Sequence, residues 1–189
     1  MRSNRDQSEM PGCLSTRRVY TGRVIGLDID RVRFPDGTTG ELEMIRHPGA
    51  SAVVPLLSKS VVDPDVLLIR QYRYAANGYV YEIPAGRLDP GESPEECAHR
   101  ELREETGYSA TNIRRLTTIY TTPGFTDERI HIFVGEDLHE GRPQKEQDEF
   151  LEVHPVPLSQ AVEMVRLGEI VDGKSAIGLL LAQLDRNPQ

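Results

Sequence analysis

Residues 86–108 read GRLDPGESPEECAHRELREETGY. The second half of this stretch carries the marks of a helix. Ser93 can cap the free backbone N–H groups, Pro94 suits the first helical position, and Glu96 closes an S-x-x-E capping box. Gly107 supplies the stop. Between these signals Glu101, Glu104 and Glu105 stand at i, i+3 and i+4, which at roughly 100° per residue puts their carboxylates on one narrow stripe. Ala98 and Leu102 lie beside that stripe and face inward. Like charges so placed repel by about 0.2–0.5 kcal/mol per pair. A hard divalent cation among them removes that cost. Arg100, one turn before Glu104, is placed to orient carboxylates rather than to neutralise them all. The turn Asp89-Pro90-Gly91 folds Glu92 back toward the helix start. The competing reading is a well-capped acidic helix with a solvated face.

The rest of the chain is compatible with a site of this kind. Its 189 residues suffice for one α/β domain and a small appendage. A net charge of −8 argues against a nucleic-acid or anionic-membrane partner, but not against a phosphorylated small molecule whose charge a metal would offset. No Trp is present for base stacking. Cys13 falls in a loose tail and Cys97 in the motif helix, so no structural disulfide is expected and a reducing cytoplasm fits. The N-terminus has no apolar core of the signal-peptide type, and no stretch approaches the roughly 20 apolar residues of a membrane span.

In chain order, residues 1–16 read as a disordered leader and residues 17–46 as a small antiparallel β domain. Its short β-rich runs turn at Pro35-Asp36-Gly37. Such a sheet buries little alone, so it is expected to pack on another surface or on a partner chain. Residues 47–186 form the main domain. Residues 52–57 and 66–72 are its most apolar strand candidates, with 79–83 a short strand leading into the motif loop. Strands at 113–121 and 129–134 flank a loop at 122–128. A long acidic loop follows at 136–149, then a strand at 150–154 closed by Pro155 and Pro157. Ser159 is expected to cap a helix over 160–167, and Asp172 one that runs through Leu184. Strands interleaved with three helices predict a mixed sheet covered on both faces. His47, His131, His139 and His154 show no metal-ligand spacing.

The spacing within residues 86–108 resembles the Nudix box without a departure: Gly86, Glu92, Arg100-Glu101-Leu102, Glu104-Glu105 and Gly107-Tyr108. The resemblance implies an α/β/α sandwich and metal-assisted attack of water on a phosphoanhydride. In this family the box glutamates hold Mg²⁺ or Mn²⁺. Carried over, Glu101 and Glu105 are ligands, Glu104 is a ligand or holds a water, Ala85 offers its carbonyl, and Arg100 belongs to the catalytic set. Glu92 either anchors the loop or touches metal.

Outside the box, Pro123 stands fifteen residues past Tyr108, as in the ADP-ribose pyrophosphatase branch. Arg70-Gln71-Tyr72-Arg73, Tyr81-Glu82-Ile83-Pro84-Ala85-Gly86 and Glu149-Phe150-Leu151-Glu152-Val153 resemble the same branch, and the similarity runs over residues 49–182. It implies hydrolysis of ADP-ribose to AMP and ribose 5-phosphate by a cytoplasmic homodimer with exchanged N-terminal sheets. Arg73 is then a phosphate contact or a surface ion pair. Glu82 reads the adenine amino group or braces the loop, and Phe125 packs on the ribose or seals its loop. Arg46, with Tyr20 and Phe34, lies in the weakly matching region as a candidate nucleobase contact.

A carboxylate held against a cation is a poor proton acceptor, so the general base is sought in the acidic loop. Glu140, Glu146, Asp148 and Glu149 are available there, with Glu149 first and Glu146 second. Two further readings stay open: hydrolysis of another nucleotide sugar such as GDP-mannose, and a sensor that binds ADP-ribose without cleaving it.

Overall fold

A computed structural model describes residues 10–57, 62–141 and 151–186. The chain divides into two compact units: residues up to Pro48 with Tyr120–Glu128, and Gly49–Ile119 with Arg129–Gln189.

In the first unit β1 (Gly12–Thr21), β2 (Gly26–Arg33) and β3 (Thr39–Arg46) form an antiparallel sheet in that order. Gly37, at φ 87°, takes the left-handed position of the turn between β2 and β3. The expected leader over residues 1–16 is corrected for its last five residues, because β1 starts at Gly12 and pairs with β2 from Gly12 opposite Arg33, while residues 1–9 lie outside the described residues. Its residues are exposed along the whole strand, so no apolar alternation marks it in the sequence.

The buried face of β2 is acidic rather than apolar. Asp28 and Asp30 lie there, 3% and 6% exposed. Arg18 pairs with Asp28, while Arg46 donates from Nε to Asp28 Oδ2 at 3.0 Å, from Nη2 to Asp30, and from Nη1 to Asp127 Oδ2 at 3.2 Å. Burial opposes ionisation of Asp28. The hydrogen bonds and charges of Arg18 and Arg46 outweigh it and hold the carboxyl below its usual range. The 120–128 segment is tied to β3 by backbone bonds, Ile45 N–H to the Phe125 carbonyl at 2.8 Å and Asp127 N–H to the Ile45 carbonyl at 3.3 Å.

The second unit is built on β4 (Ala50–Leu57), β5 (Asp65–Arg73), β6 (Gly78–Glu82), β7 (Ala85–Arg87), β8 (Tyr108–Tyr120), β9 (Arg129–Glu140) and β10 (Leu151–Pro157). They form one sheet in the order β10-β5-β4-β9-β8, with β6 also on β5 and β7 also on β4. β4 is parallel to β9 and antiparallel to β5 and β7, so the sheet is mixed. Its helices are α1 (Pro94–Glu101), α2 (Leu158–Leu167) and α3 (Gly173–Arg186).

Alternation along β4 shows how the layers are held. Ala52, Val54 and Leu56 join Ile132, Leu158, Ala161 and Leu179 in one core, while Val53 joins Ala98, Leu102 and Phe133 in another. The sheet therefore has α2 and α3 on one face and α1 on the other. Gly178 permits the close approach of α3, since a Cβ there would press on Val54, Ile83 and Ile132.

Three local expectations change. β9 continues through Glu140, five residues into the stretch read as a loop, and residues 142–150 lie outside the described residues. β10 runs through Pro155 and Pro157, which an edge strand tolerates because the missing N–H can face away from the ladder. α2 begins at Leu158, and Ser159 does not cap it. Instead the Ser159 N–H and hydroxyl donate to the Asp63 carboxylate at 2.9 and 2.7 Å. Asp172 does cap α3, accepting from the Ser175 N–H at 3.0 Å.

Candidate active site

The site grows from the capping box at the start of α1. The Ser93 side chain accepts from the Glu96 N–H at 3.3 Å, and Glu96 accepts in return from the Ser93 N–H at 2.8 Å. The helix so fixed does not stay α-helical to the end. From Leu102 to Thr106 it widens into a single π turn, closed by Gly107 at φ 81°. Such turns re-aim side chains by a fraction of a turn and are frequent at functional sites. Here the widened turn carries Glu104 and Glu105.

Arg100 organises the carboxylates. Its Nε and Nη2 donate to the two oxygens of Glu92 at 2.8 and 2.9 Å, Nη2 also to the Arg87 carbonyl at 3.0 Å, and Nη1 to Glu101 at 2.5 Å and Glu104 at 3.1 Å. Glu92 further accepts from the Asp89 N–H at 3.0 Å. Of the two roles expected for Glu92, the geometry is that of an anchor. The Arg100 guanidinium in particular pulls its carboxyl down to about 2.

Glu105, 2% exposed, accepts from the Ala85 N–H at 2.9 Å and so ties the π turn to β7. Glu101, 8% exposed, lies against Gly86, where an added Cβ would fall on its carboxylate. Cys97 is buried beneath the loop. Burial first, then the charges of Glu101 and Glu92, push its thiol up to about 12, so it stays protonated and inert.

These groups border a cavity of about 300 Å³ lined by Gln71, Arg73, Ala85, Gly86, Arg87, Asp89, Arg100, Glu101, Glu104 and Glu105. In the same lining, Arg73 is clamped by Glu82 through two bonds of 2.7 and 2.9 Å. Lys174 donates to the same Glu82 carboxylate and to Asp172. Glu82 is 3% exposed and accepts three bonds from Arg73 and Lys174, which is the geometry of the bracing role. Burial raises the Glu82 pKa, but Arg73 and Lys174 prevail and hold it below its ordinary value.

The second unit thus brings together Ala85, Arg73, Glu82, Arg100, Glu101, Glu104 and Glu105. Arg46, Pro123 and Phe125 belong to the first unit, where Arg46 is bound to three aspartates and Phe125 borders a smaller pocket with Ile25, Ile45 and His47. Glu149 and Glu146 lie outside the described residues. Gln71 and Lys174 were not foreseen. Alternation along Arg70-Gln71-Tyr72-Arg73 could have placed Gln71 on the face of Arg73, whereas nothing local connects Lys174 to Glu82.

The donor set fits a hard divalent cation in its chemistry: three carboxylates and a main-chain carbonyl, all oxygen, around one cavity, with Gly86 making room for Glu101. Among the described residues no three acidic, His or Cys side chains stand ready-set as ligands, since Arg100 bridges Glu101 and Glu104.

A mixed sheet between helical layers, with an acidic helix behind a glycine loop, makes the second unit an α/β/α sandwich. The chain belongs to the NUDIX domain family, whose profile matches residues 46–175. It is 37% identical over 173 residues to an ADP-ribose pyrophosphatase of Bacillus subtilis (strain 168), covering 90% of this chain and 91% of that one. It is also 37% identical over 164 residues to a GDP-mannose pyrophosphatase of Shigella flexneri serotype 5b (strain 8401), covering 79% and 84%. Among solved structures, that of an ADP compounds hydrolase matches the fold with a TM-score of 0.78 over 94% of this chain and 96% of that one, at 23% identity. No helix among the described residues is long and apolar enough to cross a membrane.

Proposed function

We propose that this chain hydrolyses the pyrophosphate of ADP-ribose to AMP and ribose 5-phosphate, in the presence of Mg²⁺ or Mn²⁺. The observation that carries this reading is the cavity lined by Arg73 together with Glu101, Glu104 and Glu105, within a NUDIX chain that is 37% identical to an ADP-ribose pyrophosphatase. Glu101, Glu104, Glu105 and the Ala85 carbonyl would hold the cation, which when bound polarises phosphoryl oxygens and makes a bound water more acidic.

The protein's own residues do the rest. Arg73, its fork held by Glu82, offers its remaining donors to pyrophosphate oxygens. Arg100 spaces Glu101 and Glu104 and anchors them to the loop through Glu92. Glu149, with Glu146 as the alternative, takes the proton of the attacking water as a phosphorus–oxygen bond of the anhydride breaks. Pro123 and Phe125 shape the loop that meets the nucleotide. In this reading Arg46 keeps to its three aspartates. The working form is a cytoplasmic homodimer with exchanged N-terminal sheets, supported by the exposure of all of β1 and by the free thiols of Cys13 and Cys97.

A second reading, hydrolysis of GDP-mannose, is carried by the pyrophosphatase relative of that name. The test is to incubate the protein with Mg²⁺ and ADP-ribose, GDP-mannose, ADP-glucose or NADH and to identify products. AMP and ribose 5-phosphate should form fastest, cease in excess EDTA, and fall by orders of magnitude in Glu105→Gln. Guanosine monophosphate as the faster product selects the second reading. Tight ADP-ribose binding without products selects a sensor.

A further inference from the structure

The cavity contains a buried polar group that lies outside the box. Gln71 stands on β5 between Val80 of β6 and Leu151 of β10, so its backbone is held in the sheet from both sides. Strand alternation puts it on one face with Leu67, Ile69 and Arg73. Along this face the chain passes from fully buried apolar side chains to a cation at the cavity, and Gln71 is the step between them. It is 8% exposed, it lines the cavity, and its Oε1 is buried without a hydrogen-bond partner among the described residues.

A buried amide oxygen left unbonded is costly, and native proteins rarely leave one so. Phosphate oxygens cannot relieve it, because they too are acceptors. The missing partner is a hydrogen-bond donor or the cation itself, and because Mg²⁺ keeps several of its waters, a cation would meet the amide through one of them.

We infer that Gln71 is a ligand-binding residue whose amide oxygen accepts a hydrogen bond from an O–H delivered with the ligand. That O–H is either a hydroxyl of the sugar beyond the pyrophosphate or a water carried by the bound cation. The inference rests on the proposed pyrophosphatase reading for its ligand and goes beyond it in naming a ligand contact outside the box.

The decisive variant is Gln71→Met, which keeps the length of the side chain and removes the orphaned acceptor. With ligand absent, its thermal midpoint should equal or exceed that of the wild type, since an apolar isostere abolishes the unmet bond. Its kcat/KM for ADP-ribose in Mg²⁺ should nevertheless fall roughly tenfold, the worth of one lost hydrogen bond. A second substrate, the methyl ester of ADP on its β-phosphate, identifies the donor. A sugar hydroxyl predicts no loss with the ester. A cation-bound water predicts the same loss on both, with a raised Mg²⁺ requirement. A ligand-free midpoint below the wild type, or unchanged kcat/KM on both substrates, overturns the inference. Wild-type inactivity on every nucleotide of the panel would instead overturn the pyrophosphatase reading, and the ligand-free midpoint would still decide whether the Gln71 acceptor is unmet.

Discussion

Arg100 shows how one side chain settles the state of several others. Its guanidinium bonds Glu92, Glu101 and Glu104 at once, and Glu92 receives both arms of the fork. The consequence for pH follows from the sign of the shift. Glu92 falls from an ordinary 4.5 to about 2 in the folded protein, so its contribution to stability is complete above 4.5 and drains away as pH drops toward 2. Glu92→Gln should therefore be less stable than the wild type at neutral pH and should converge with it at the acid end of that window. Thermal midpoints of both proteins measured from pH 7 to 2 check this. Parallel curves would remove Glu92 from the acid response.

At the scale of elements, the contact between β7 and the acidic helix is the tightest constraint on the site. Gly86→Ala would place a methyl group on the Glu101 carboxylate, the free end of a flexible side chain. The fold should survive with a midpoint within a few degrees of the wild type, while turnover drops by orders of magnitude as Glu101 swings out of place. Circular dichroism with the product assay separates the two effects, and an active Gly86→Ala protein would show that Glu101 need not sit there.

What could be read in advance follows from how local each cause is. Ser93, Glu96, Gly107 and Asp172 act within four residues of themselves, and the sequence displays their caps directly. The π turn is hidden, because Leu102–Thr106 has the same side-chain spacing whether the backbone closes at four residues or five. β1 is hidden because an exposed strand has no apolar period, and β10 looked too short because prolines normally end a ladder. The Glu82 partner was out of reach for a simpler reason: Lys174 is 92 residues away.

On the scale of the whole molecule, the exposed face of the N-terminal sheet bears on the oligomeric state. The N-terminal sheet and its first turn expose Leu14, Val19, Tyr20, Val24 and Leu42, apolar surface that a second chain would cover. Light scattering at micromolar concentration should give twice the 21.2 kDa chain mass. A fully active monomer would rule the exchanged dimer out.

The composition of the first unit has an evolutionary consequence. Its strands come from the start of the chain and its closing segment, Tyr120–Glu128, from between β8 and β9, so the polypeptide passes from one unit to the other three times. Arg46 and Asp127, 81 positions apart, complete one ionic centre, and Ile45 exchanges backbone bonds with Phe125 and Asp127. A genetic crossover at residue 48 would import three new strands and leave them facing an ancestral 120–128 segment. Homologues that diverge in one of these stretches are then expected to diverge in the other, and the sheet should be inherited as a pair of distant segments rather than as a detachable leader.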